Sequence, residues 1–348
     1  MKTPIIFRIL LTLLIVASVM GCDNSNKKVG WGADAEIFVL ADSTIWRTAE
    51  PVVRETFERP LVTPQRETVF TVIHKDFHNF MRYKNLVFLA TLDDSGTVSD
   101  AVKSILKPEQ IEKVKSGDYL FVKKDEWASD QFIMFLVSNR ETELIQKINE
   151  NKNYLFNLYD NYWTEVRAEF FVRGAAEKEM EKRLLNKYGW MLRIQDDFQI
   201  EIEDSTENFV MLYKSFPEQW ISIKWIDTDD PSLITKEWCI KKRNEIGEKY
   251  YRGDQVEEKF EEPVFEEVEF LGKRAGKLSA LWQNEKEVCG GSFINYSFYD
   301  EDSERIYILD YALFYPKLGK RKRPYLRKGE ILLHTFRTKN EIYVVADL

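Results

Sequence analysis

The residue with the clearest chemistry is Cys22, which ends the run Val19-Met20-Gly21-Cys22 after two basic residues, Lys2 and Arg8, and an apolar stretch. A thiol that follows a small residue at the end of such a stretch has the pattern of a lipobox. There it takes a diacylglyceryl group as a thioether and becomes the first residue of the mature chain. A soluble secretory signal would end at an A-x-A-like site, and the run from Pro4 to Met20 is short for a membrane-spanning helix. Each buried methylene contributes about 0.8 kcal/mol and one acyl chain holds only marginally, so two or three chains on Cys22 are needed to keep the protein at its membrane. Residues 1–21 therefore read as a lipoprotein signal peptide and 22–32, which are polar, as a flexible tether. The expected location is the bacterial cell envelope, lipid-anchored at the outer membrane and either periplasmic or surface-exposed.

Two further groups of residues could bind something. Lys317 to Lys328 holds seven basic residues in twelve, with Lys320, Arg321, Lys322 and Arg323 consecutive. Such a cluster suits an acidic protein or an anionic glycolipid, and it equally suits a solvated hairpin tip between two strands. Glu257 to Glu269 carries seven glutamates and could be its counterpart within the molecule. The second group is Cys289-Gly290-Gly291-Ser292 with the nearby Trp282: glycines in a turn let a ligand approach backbone amides, although a tight turn into a strand needs them as well.

Other chemistry finds little support in the residue types. His74 and His78 are four apart, but Asp76 between them reads as an N-cap for a helix starting at Phe77, so the pair shares no helical face. His334 lies in the strand-like ILLHTF. Neither a metal site nor a cofactor is expected. Cys239 and Cys289 could form one disulfide in an oxidising compartment, or Cys239 could be buried on its helix. Ser292 lacks the G-x-S-x-G setting and no phosphate-cradling loop is present. A pair of carboxylates for glycoside hydrolysis cannot be placed among so many acids, and no catalytic residue is assigned. The formal net charge of −8 argues against nucleic acid as a partner.

The elements that must position these residues alternate between strand and helix. Glu36 to Ala41 reads as a strand, followed by a helix through Trp46, Val53 and Phe57, a strand near 68–73, and an apolar, central strand at 86–92. A helical stretch broken at Pro108 and strands near 118–123 and 131–138 follow. From Glu141 to Leu185 the spacing of Leu144, Ile148, Leu155, Leu158, Tyr162 and Val166 is helical, with a break at Arg173-Gly174. Beyond it, strands are expected at 190–194, 209–214, 220–226, 277–282, 291–299, 305–315 and 330–337, with one helix at 235–251. The fold class is α+β: mostly antiparallel sheets with helices on one face, in two halves, 33–185 and 186–348, joined by the long helical segment.

Several blocks of the second half resemble a known family. Trp190-Met-Leu-Arg-Ile, Asn208-Phe-Val-Met-Leu-Tyr, Arg243 to Gly253, Leu281-Trp282, Gly290-Gly291-Ser292-Phe293 and Arg305 to Asp310 are similar to successive blocks of an uncharacterised bacterial lipoprotein family, the domain of unknown function DUF4837. Glu36 to Ala41 with Trp46, Pro64-Gln65-Arg66-Glu67, and Lys84-Asn85-Leu86-Val87 extend the resemblance over nearly all the mature chain. It implies an envelope lipoprotein and brings no catalytic residues. The expected function is a binding or assembly component of the envelope that works without catalysis. The competing class is an envelope hydrolase acting on glycan or peptide.

Overall fold

Residues 27–173 and 176–346 are described by the structure, a computed structural model; Cys22 and the signal lie outside the described residues. The chain divides into two units, one of residues up to Val53 with Val72–Glu150, the other of Arg54–Thr71 with residues from Asn151 onward. In the long helical stretch the division falls at 150. The reason lies in helix packing: Phe57 and Phe70 meet Tyr159 and Phe156 edge to face at ring separations of 5.6 Å, which assigns the long helix to the second unit.

The first unit contains β1 (Glu36–Ala41), α1 (Ser43–Phe57, whose last residues from Arg54 belong to the second unit), β2 (Thr71–His74), β3 (Asn85–Thr91), α2 (Thr97–Ile105), α3 (Pro108–Lys115), β4 (Leu120–Lys124), β5 (Phe132–Ser138) and α4 (Glu141–Glu150). Its sheet runs in the order β2-β1-β3-β5-β4. β1 is parallel to β3 and β3 to β5, and β4 is antiparallel to β5. This smaller sheet departs from the antiparallel expectation because helices carry the chain between its central strands. Those strands, NLVFLAT and FIMFLVS, are buried along their whole length. Asp42, at the end of β1, accepts the backbone N–H groups of Val98 at 3.0 Å and Ser99 at 2.9 Å and so fixes the start of α2.

The second unit is built on α5 (Lys152–Arg173), α6 (Lys178–Tyr188), β6 (Gln199–Asp204), β7 (Phe209–Ser215), β8 (Glu218–Asp227), α7 (Lys236–Tyr250), β9 (Gln255–Glu257), β10 (Val264–Phe270), β11 (Lys273–Asn284), β12 (Cys289–Asp300), β13 (Arg305–Phe314) and α8 (Arg323–Leu333). Its eight-stranded sheet has the order β9-β11-β12-β13-β8-β7-β6, with β10 on the same edge of β11 as β9. All of these pairings are antiparallel.

Helices cover both faces of this sheet, where the sequence led us to expect one. Strand β13 shows why, since it is apolar on both sides. Tyr307, Leu309, Tyr311 and Leu313 join Leu184 of α6 and Leu326, Leu332 and Leu333 of α8 in one core. Ile306, Ile308 and Ala312 pack on the other side with Cys239 and Ile246 of α7. The mixed α+β class itself holds. The segment expected as a strand at 330–337 is instead the end of α8 and the turn after it, with Pro324 in the first helical turn and Leu326, Ile331, Leu332 and Leu333 buried.

Candidate functional site

The face of the large sheet that carries α7 ends in a cleft lined by aromatic rings and carboxylates. Trp220 stands near the start of β8, opposite Tyr213 of β7 and Ala312 of β13. Trp282 comes from β11, opposite Gly291 of β12. Tyr251 immediately follows α7, and Phe314 ends β13. Trp220 is the hub: its ring lies 6.3 Å from Trp282 at 90° and 6.1 Å from Tyr251 at 75°, and Tyr213 tilts against it at 5.6 Å. Phe314 adjoins Trp282 at 6.0 Å. These rings wall a cavity of about 260 Å³.

Tyr251 and Trp282 are buried, whereas Trp220, Tyr213 and Phe314 keep part of their surface open. The Trp282 indole N–H is buried with no hydrogen-bond acceptor from the protein. Larger hollows of about 820 and 850 Å³ occur on the same unit without such a corner of tryptophans and tyrosine.

The lining also brings together Glu201, Glu218, Asp254 and Glu287, with Arg252 as the cation among them. Arg252 is occupied by Glu287 at 3.2 Å. Burial pushes the Asp254 carboxyl above its ordinary range, against the hydrogen bond it accepts from Asn284 at 2.9 Å. The carboxylates shape the field. Burial first, then Asp254, Glu287 and Glu218, push the Cys289 thiol up. Burial, Glu218 and Glu201 do the same to the Tyr213 hydroxyl. A partly dry, negatively charged pocket between ring faces favours positive charge.

Of the residues singled out in the sequence, Trp282 and Cys289 line this cleft, and Gly291 lies beneath the Trp282 ring. Gly290 and Gly291 belong to β12 and not to a turn; the turn is at 285–288. Their small size serves strand packing. A Cβ on Gly291 would fall 2.0 Å from the Leu313 carbonyl oxygen, and one on Gly290 would fall 2.6 Å from that of Trp282. Cys239 and Cys289 are both free thiols. Cys239 is buried on α7, which pushes its thiol up to about 11.

The basic run does not form a hairpin tip, and its partners are not the glutamates at 257–269. Arg321 donates to the Thr71 hydroxyl at 2.9 Å and the Thr68 carbonyl at 2.6 Å. Lys322 is buried, with its ammonium 2.5 Å from the Gln65 side-chain oxygen and 3.7 Å from Glu67. Arg323 donates to Asp160 at 2.7 Å. Lys320 remains exposed. Sequence reasoning passed over Trp220, Tyr251 and Glu218 because only sheet register and the end of α7 bring them to Trp282.

No curated protein sequence matches this chain. A solved protein of Bacteroides thetaiotaomicron is similar in structure, at 11% identity and a TM-score of 0.25, over 43% of this chain and 45% of its own. The chain thus spans less than half of that protein. The Ran-binding protein Mog1p of Saccharomyces cerevisiae is similar at 10% identity and a TM-score of 0.31, over 43% of this chain and 90% of its own. LpqN of Mycobacterium tuberculosis, involved in cell envelope biogenesis, is similar at 10% identity and a TM-score of 0.26, over 47% and 97%.

Two family models match, each a domain of unknown function. DUF8532 matches residues 31–171, which places the N-terminal blocks outside the resemblance first expected for them. DUF4837 matches residues 177–335, a span that contains the large sheet, its cleft and α8. Over residues 177–335 this chain is similar to the domain of unknown function DUF4837.

Proposed function

We propose that this chain is a lipid-anchored component of the bacterial cell envelope that works by binding, and that the aromatic cleft of its second unit is the binding site. The lipobox pattern ending at Cys22 supports the anchor and the outer-membrane location. One observation carries the binding role: Trp220 meets Trp282 and Tyr251 nearly at right angles, and all three rings line one cavity. Concave sites with apolar walls and a few polar groups are where proteins hold small ligands.

A second reading, hydrolysis of glycan or peptide, draws on Asp254. Its carboxyl is raised by burial and shares the cleft with the carboxyl groups of Glu218 and Glu287, an arrangement that suits a general acid.

Equilibrium dialysis of the protein against a small-molecule extract of the host envelope separates the two readings. A compound retained by wild type, lost with Trp220→Ala and recovered at unchanged mass supports binding. Retention that does not depend on Trp220, or recovery of a cleaved product, overturns it. Acyl labelling that survives in Cys22→Ser would remove the anchor from the proposal.

A further inference from the structure

We infer that the cleft between Trp220, Trp282 and Tyr251 takes a small organic ammonium ion, a quaternary or primary ammonium on a short uncharged arm. The inference rests on the binding role proposed above and names the chemistry of the ligand. Ring faces present the negative side of their quadrupole. Trp220 stands nearly perpendicular to both Trp282 and Tyr251, and because the Tyr251 ring already carries the Arg243 guanidinium at 4.7 Å, the surface open to a cation is that of Trp220 with Tyr213 and Phe314. A quaternary ammonium is weakly hydrated and loses little on entering such a corner, whereas a primary ammonium is strongly hydrated and gives up more.

The charge around the rings points the same way. Glu201, Glu218, Asp254 and Glu287 line the cavity, and Arg252 is held by Glu287. Asp254 is buried and Glu218 half-buried, so these two act more strongly on a bound charge than the exposed Glu201 and Glu287 do. The size of the cavity restricts the ligand further. About 260 Å³ falls below the roughly 300–1,000 Å³ of pockets for drug-sized ligands, so one ammonium and a short arm fit where a chain of sugars does not. A phospholipid headgroup carries a phosphate next to its ammonium, and that phosphate would meet the same four carboxylates. A free ammonium compound is therefore the favoured source.

Calorimetric titration of the detergent-solubilised full-length protein tests this with three probes: choline, its neutral isostere 3,3-dimethyl-1-butanol, and glycerophosphocholine. Choline is expected to bind, and both other probes to bind at least about tenfold more weakly. Trp220→Ala should weaken choline by at least about tenfold and Trp220→Phe by less, since a ring face remains. Glu218→Gln should weaken choline about three- to tenfold and leave the neutral isostere unchanged. Melting curves for each variant identify loss of fold, and Trp220→Phe and Glu218→Gln keep the test open if Trp220→Ala unfolds. Isostere binding equal to that of choline, with both lost in Trp220→Ala, overturns the ammonium inference and leaves the binding role standing. Choline binding that none of the cleft variants changes overturns the inference, as does no choline binding at all. The binding role itself stands or falls on the dialysis result.

Discussion

Arg243 reaches from α7 to Asp310 at the middle of β13, with Nε 3.1 Å from Oδ2 and neither side chain exposed. Ser222 and Asn295 flank Asp310 on the neighbouring strands, and Asn295 donates to the same carboxylate oxygen at 3.3 Å. The guanidinium also lies over the rings of Tyr251 and Phe293, at 4.7 and 5.0 Å. Burial pushes the Asp310 carboxyl up and Arg243 pulls it back, so the aspartate depends on its arginine. A polar seam thus runs under α7 next to the wall of the cleft that Tyr251 forms.

Breaking this pair should be costly. Asp310→Ala leaves a guanidinium buried without its counterion, a change of about 3–5 kcal/mol for buried pairs. Arg243→Met with Asp310→Leu should recover much of that loss, because the cost lies in the unpaired charge more than in the missing bond. Urea unfolding of the three proteins decides it, and a double variant no better than Asp310→Ala would show that the pair itself supplies the stability.

Glu330 on α8 predicts a specific acid sensitivity. Burial works against its charge, but Lys277 at 2.6 Å, Arg323 and the Tyr296 hydroxyl at 2.7 Å outweigh burial and hold the carboxyl down at about 2. A depressed carboxyl stabilises the fold above its ordinary unfolded value near 4.5, and that contribution disappears as pH falls from there towards 2. The full effect is on the order of 2–3 kcal/mol. Urea midpoints of wild type and Glu330→Gln should therefore differ most at pH 6 and converge only below about pH 2. A gap independent of pH would remove the assignment.

The strands of the large sheet that lie at its centre were legible because their residues are apolar on one or both faces, as in FINYSFYD of β12 and RIYILDYALF of β13. The edge strands were not. QIEIED of β6 and VFEEVEF of β10 expose a charged face, and their sequences raised no expectation of a strand. The end of α8 misled differently: ILLH is an apolar run too short for periodicity to separate helix from strand. Trp282 and the glycine pair stood out by residue type. Trp220, Tyr251 and Glu218 gained their meaning only from strand register and from where α7 ends.

Gly291 should tolerate no side chain. The Cβ of Gly291→Ala would sit 2.0 Å from the Leu313 carbonyl and 2.8 Å from the Trp282 indole nitrogen. The first contact is with backbone in a paired strand, which cannot rotate away as a side chain can. Overpacking of this kind costs about 1–3 kcal/mol, and here it also displaces the wall of the cleft. Lower stability in urea together with an altered near-ultraviolet tryptophan signal is expected. Stability equal to wild type would contradict the close approach of β12 and β13.

Asp160 on α5 decides how the basic run should behave under mutation. Its Oδ1 accepts from Arg323 at 2.7 Å and from Arg327 at 2.6 Å, and the two arginine side chains are only 7% and 8% exposed. Arg323 and Arg327 therefore tie α8 to α5 through one carboxylate. Asp160→Ala should cost about 2–4 kcal/mol, since it removes the acceptor from two largely buried cations. Lys320→Gln, on the exposed part of the run, should stay within about 0.5 kcal/mol. Hydrogen exchange along 323–333 should rise in Asp160→Ala and stay at the wild-type level in Lys320→Gln. If Asp160→Ala leaves exchange and stability unchanged, Asp160 does not hold these arginines in place.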